Sequence, residues 1–246
     1  MEDLSQLESS SLKNLGEEFV LHHHLGLGDT IICNGLVNFL STKYSKIYLP
    51  VKENLFNTVQ FLYSENKNLS LFKISNDSRE EDIYEFALLK NVKILRVGYQ
   101  NVKDQPFNLA FYKQLGLPYR YSQKYFSIPS DINKEVLLKD HLINFYNVNP
   151  NSYSVIHNEY QFPGGKFDLK LIDEQNAIYV SKESDLFMNL FLYRSLIESA
   201  QTIHCINSSF LHLVERVNTK AKLYYHNLRK NNLHLSNKWT YVEYDD

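Results

Sequence analysis

The spacing of apolar and polar positions predicts alternating strands and helices along most of the chain. After a frayed start, residues 18–24 read as a strand, and residues 30–44 as a helix with Ile31, Leu36, Phe39 and Leu40 on its apolar side. Glycines lie between them. Strands at 46–50, 71–74 and 92–98, with helices at 53–63 and 80–90, continue the series. Such alternation predicts a parallel sheet covered on both faces. Residues 105–131 hold one short helix ending near Gly116, then prolines and aromatics without a period, and read as an interdomain passage. A second run follows: a helix at 132–146, strands at 153–157 and 177–181, a helix at 185–200, a strand at 202–206, a helix at 208–217 and a closing strand at 221–225. No tandem repeat or low-complexity tract interrupts it. The expected fold class is α/β, with two Rossmann-like domains facing across a cleft: residues 1–130, and a smaller domain of residues 131–246.

Composition changes this picture little. The 246 residues are enough for cores in both domains, and 43% apolar and 22% charged residues are ordinary globular values. A formal net charge of −2 gives no basic footprint, so no nucleic-acid partner is expected. Cys33 and Cys205 sit far apart within apolar runs and read as buried thiols in a reducing compartment. The acidic, Ser-rich start lacks the features of a signal peptide, and no apolar run reaches the roughly 18–20 residues of a membrane span. A cytoplasmic protein without a transmembrane segment is expected, working on a soluble precursor or at a membrane surface. Oligomeric state is not legible.

Candidate chemistry concentrates in "FVLHHHLGLGDTIICNGLVNFL", residues 19–40. In doubly wound sheets ligands collect where a strand's carboxyl end turns into its helix, and "GLGD" falls there. Gly26 and Gly28 permit a sharp turn and close approach of a ligand. A dinucleotide fingerprint needs a third glycine where Ile31 stands, so a nicotinamide cofactor is disfavoured. Asp29 would repel a pyrophosphate. At a helix start its ionised form is favoured, which suits a general base; the alternative is a capping aspartate, and the two roles are compatible. Of His22, His23 and His24, a strand places at most two on one face, with no local acidic or thiol partner, so no metal site is expected. His24, nearest the strand end, is the candidate for a bond to a substrate hydroxyl.

The second motif is "CINSSFLHLVERV", residues 205–217. Asn207 ends an apolar strand, and Ser208 and Ser209 stand where a helix begins. Their hydroxyls could hold a phosphate, with His212 one turn on as a further donor; the alternative is an Asn/Ser cap with a half-buried histidine.

Together the two segments resemble glycosyltransferase family nine, the lipopolysaccharide heptosyltransferase-like proteins of GT-B fold. "GLGDTIICNGLVNFL" is similar to the family's G-x-G-D turn and its following helix, and "NSSFLHL" to its D-[ST]-G-x-x-H-L, with Asn207 and Ser209 in place of Asp and Gly. "FYKQLGLPY", residues 111–119, resembles the passage before the family's linker, and "IHNEYQFPGGKF", residues 156–167, the strand and loop bearing its donor-phosphate lysine. The resemblance implies a metal-independent, inverting transferase with a shortened C-terminal domain, a nucleotide-sugar donor, a glycan or lipid-linked acceptor and no cofactor. It makes Asp29 the catalytic base and places the donor diphosphate near Lys166, Asn207, Ser208, Ser209 and His212; His24, Gly26 and Gly28, from the turn itself, are expected beside the acceptor. The loop at 161–165 is further expected to close over the donor. Two other classes stay in view: a non-catalytic scaffold of the same fold, and a different Rossmann-type enzyme that uses a nucleotide cofactor.

Overall fold

The computed structural model describes residues 7–77, 79–98, 105–160, 164–171, 176–228, 230 and 232–244. The chain forms two compact units: Met1–Pro129 with Asn232–His234, and Ser130–Asn231 with Leu235–Asp246.

In chain order the first unit comprises β1 (Glu8–Ser9), β2 (Glu18–His22), α1 (Leu27–Ser41), β3 (Lys46–Lys52), a 3₁₀ turn at Glu53–Leu55 leading into α2 (Phe56–Leu62), β4 (Leu69–Ile74), α3 (Glu80–Lys90), β5 (Lys93–Arg96), α4 (Phe107–Gln114) and α5 (Tyr121–Lys124). Its sheet has the order β1-β5-β2-β3-β4 and every pairing is parallel. Phe19, Val20 and Leu21 are fully buried, as a central parallel strand covered on both faces requires. The start expected to fray instead adds β1 at the sheet edge, where Glu8 and Ser9 pair with Ile94 and Leu95 of β5.

Residues 105–129 are not a passage between domains. They pack into the first unit, with Ala110, Phe111 and Tyr112 buried. The Tyr112 hydroxyl donates to Ile32 O at 2.8 Å and accepts from Leu36 N–H at 3.1 Å, so it enters the hydrogen-bond ladder of α1. One turn away α5 lies against Gly35, where a Cβ would come within 2.4 Å of Tyr121 O. Glycine is required there by close approach of two backbones.

The second unit runs α6 (Ile132–Tyr146), β6 (Ser154–His157), β7 (Glu159–Tyr160), β8 (Gly165–Lys166), β9 (Ala177–Tyr179), a 3₁₀ turn at Leu190–Tyr193, α7 (Arg194–Ser199), β10 (Thr202–Cys205), α8 (Ser209–Val214), β11 (Lys222–His226) and β12 (Trp239–Val242). Its five-stranded sheet is parallel in the order β12-β11-β10-β6-β9, and β7 and β8 form a separate antiparallel hairpin. The helix expected over 185–200 is confined to its second half. The Asp185 carboxylate accepts from Phe187 and Met188 N–H, the Asn189 side chain accepts from Phe191 N–H, and these local bonds displace helical ones. β11 does not close the series: β12 pairs with it, held by Glu215, whose carboxylate accepts from Ser236 N–H, the Ser236 hydroxyl and the Trp239 indole. Among the described residues no helix is long and apolar enough to cross a membrane.

Candidate functional site

Strand order gives each unit one point where the winding of its sheet reverses. In the first, β2 is flanked by β3 on one side and β5 on the other, so the chain reverses its direction of winding beside the carboxyl end of β2. In the second, β6 lies between β9 and β10 in the same way. Doubly wound sheets bind ligands outside the carboxyl ends of the strands at such points.

At the first of these points α1 begins at Leu27, three residues earlier than its apolar period predicts, because the backbone turn is made at Gly26, an extended N-cap with φ −77° and ψ 152°. Asp29 is therefore the third helical residue rather than the cap. Its carboxylate turns back to the backbone N–H groups of Gly26 and of Asp29 itself. A Cβ on Gly26 would lie 2.8 Å from Asp29 Oδ2, so the glycine leaves the space the carboxylate occupies. The side chain is half-buried. Burial pushes its pKa up to about 6, against the backbone N–H bonds and the Lys52 ammonium, which favour the charged form. Gly28 continues the same first turn of helix.

β2 ends at His22, so the three histidines do not share one strand. His22 and His23 are buried. Burial foremost, and Arg96 next, lowers His22 to about 3, and burial lowers His23 to about 4. His24 is half-exposed, stacked on Phe107 at 5.6 Å and edge-on to Phe111 at 5.4 Å, with a hydrogen bond to the Gly98 backbone. It is the histidine of the three that faces outward. Among the described residues no group of three or more His, Cys, Asp and Glu is placed to hold a metal ion.

In the second unit Asn207, Ser208 and Ser209 follow β10 and are half-buried. Ser208 is the N-cap of α8, its hydroxyl accepting from Leu211 N–H at 3.3 Å. His212 is enclosed, 3% exposed, and burial followed by the nearby Arg216 lowers its pKa to about 3. Its ring is neutral, and Nδ1 has no hydrogen-bond partner. Lys166 lies on the hairpin that extends from β6, paired with Glu159 at 3.3 Å. Asn158 clamps this hairpin: its side-chain N–H₂ donates to Phe167 O at 2.7 Å and its carbonyl accepts from Phe167 N–H at 3.0 Å. Residues 161–163 of the loop expected to close lie outside the described residues.

Two members of this second group were not singled out by sequence. Glu159 gains meaning only through its cross-strand register with Lys166. His157, at the end of β6, stacks on Phe210 of α8 at 5.6 Å and 17° and is held neutral by burial. The cysteines offer no nucleophile. Both are buried without a disulfide, burial raises the Cys205 thiol well above its ordinary range, and the neighbouring His204 bonds His226 instead.

No family model matches the chain, and no curated protein does. Among solved structures, a glycosyl transferase family 9 protein from Veillonella parvula aligns with a TM-score of 0.60 and 11% identity, covering 96% of this chain and 88% of that one. The E. coli ADP-heptose lps heptosyltransferase II aligns with a TM-score of 0.55 and 12% identity, covering 92% and 89%. At such identities the likeness is one of fold, and the fold is that of GT-B-type glycosyltransferases, as the motif resemblance implies.

Proposed function

We propose that the protein is a cytoplasmic glycosyltransferase moving a sugar from a nucleotide-sugar donor to a hydroxyl of a glycan or lipid-linked acceptor, such as a lipopolysaccharide-type precursor. The reaction inverts the anomeric centre and uses neither metal ion nor cofactor. The observation that carries the reading is Asp29: a half-buried carboxylate at the first strand-order reversal, with a pKa of about 6. Such a group is ionised at neutral pH, yet more basic than an ordinary aspartate, which is the match a general base needs. The GT-B-type fold supports the same class.

In this reading the acceptor lies against the Gly26–Gly28 turn with a hydroxyl at Asp29 and a second polar contact at His24. As the acceptor oxygen attacks the anomeric carbon, its proton passes to the Asp29 carboxylate. The bond from the anomeric carbon to the diphosphate oxygen breaks, and its electron pair leaves with the nucleoside diphosphate. Attack and departure on opposite faces invert the centre. Lys166, released from Glu159, and the polar groups of Asn207, Ser208 and Ser209 stabilise the charge that develops on the leaving group. His212, enclosed and neutral, brings no charge to the leaving group.

A thermal-shift panel of ADP-, GDP-, UDP-, dTDP- and CMP-linked sugars tests this. One nucleotide class is expected to stabilise the wild type and Asp29→Ala alike, and to lose most of its effect in Lys166→Ala. No shift with any member would favour a non-catalytic scaffold. A shift that survives in Lys166→Ala but disappears in Asp29→Ala would favour a different nucleotide-cofactor enzyme.

A further inference from the structure

At the far end of α1 from Asp29 the first unit has a cavity, open at the surface, with a volume of about 490 Å³, in the size range of small-ligand clefts. Its walls come from the last turn of α1, the turn before β4 and the segment after α5. Along the helix this is ~18 Å from Asp29, at 1.5 Å per residue.

Several side-chain donors of the wall are spent on bonds within the protein. Asn38 uses both amide N–H groups, on Asn34 Oδ1 (3.2 Å) and Tyr125 O (3.1 Å), and Asn66 uses both, on Asn38 Oδ1 (3.0 Å) and Ser41 Oγ (3.1 Å). The hydroxyls of Ser41 and Thr42 donate to Val37 O and Phe39 O. Asn68 gives one N–H to Ser41 O. Asn66 Oδ1 in turn accepts from Asn68 N–H, and what the lining has left is mixed: spare lone pairs on amide and hydroxyl oxygens, the Glu65 carboxylate, the second Asn68 amide N–H and the Lys67 ammonium. Leu62, Pro129 and the Tyr125 ring add apolar wall.

A ligand for such a surface must bring groups that both donate and accept, and an apolar face of its own. A phosphate or carboxylate brings acceptors and would find Lys67 as the one cation of the lining; a simple ammonium would find Glu65 but also Lys67. A pyranose offers hydroxyls that donate and accept around its edge and C–H groups on its faces. We infer that this cavity is a saccharide-binding subsite. Its use rests on the transferase reading, in which it holds a preceding sugar of the acceptor glycan one helix length from the base. Binding itself does not depend on that reading.

The test is a ¹H–¹⁵N titration of the full chain with maltotriose, cellotriose and chitotriose. At least one should shift the amides of Thr42, Asn66 and Asn68 while leaving that of Asp29 in place. Thr42→Lys, at an exposed helix end where a cation is tolerated, should fill the cavity, satisfy its acceptors and weaken that binding by about ten-fold or more without lowering the thermal midpoint. No shift with any trisaccharide, shifts confined to other regions, or equal shifts in Thr42→Lys would overturn the subsite. Nucleoside diphosphate binding is measured alongside on the wild type; its absence would overturn the transferase reading and leave the subsite standing.

Discussion

In the proposed reaction a single carboxylate carries the chemistry, and it also has a cost. In the unfolded chain Asp29 titrates near 3.8, and in the folded protein near 6. Between these values the folded state keeps a proton that the unfolded chain has lost, so stability falls as pH rises through that window and the loss is complete above it. For this half-buried group the loss is on the order of 2 kcal/mol. Asp29→Asn should therefore raise stability at pH 8 by about that amount and leave it unchanged at pH 3.5, as parallel denaturant titrations at the two pH values would show. Equal effects at both would mean that the carboxyl is not perturbed. The turnover it supports should rise with pH through about 6 and level off above, since the base acts ionised. Gly26→Ala should displace the carboxylate, whose Oδ2 lies 2.8 Å from the added Cβ, and lower turnover by about ten-fold or more with little loss of fold, a split readable from kinetics beside thermal midpoints.

Among elements, α1 shows how far sequence reasoning reaches. Its apolar period and the glycine turn were legible, because both are written in adjacent residues. Its start was misplaced because Gly26 makes the turn in extended backbone with no side-chain cap, leaving no residue type to mark the boundary. The support it receives from Tyr112 was invisible, since that contact spans 76 to 80 positions. Tyr112→Phe should destabilise the first unit by about 1 kcal/mol, the worth of one buried hydrogen bond, unless α1 closes its own ladder there, in which case denaturation midpoints stay unchanged. Gly35→Ala should cost more, about 1–3 kcal/mol, because the backbone of α5 blocks the added methyl group. In the second unit the serine cap of α8 was readable from Asn207, Ser208 and Ser209, whereas the enclosure of His212 depends on what packs around it.

Over the whole molecule, the alternation of strand and helix was enough to predict an α/β fold with two parallel sheets. The edge strands β1 and β12 escaped it, one for being two residues long and the other because its register depends on Glu215, 24 positions before Trp239. Glu215→Ala would leave the Trp239 indole N–H and both Ser236 groups without their shared acceptor. A destabilisation of about 2–3 kcal/mol, with faster amide exchange along β12 than along β10, is expected.

The most direct test of the account is release of nucleoside diphosphate from the sugar nucleotide that stabilises the protein, measured with an acceptor extract and excess chelator. The wild type should release it, and Asp29→Asn should do so at least about 100-fold more slowly while binding the donor as well. Equal rates in the two proteins, or a wild-type rate abolished by the chelator, would contradict a metal-independent transfer with Asp29 as its base.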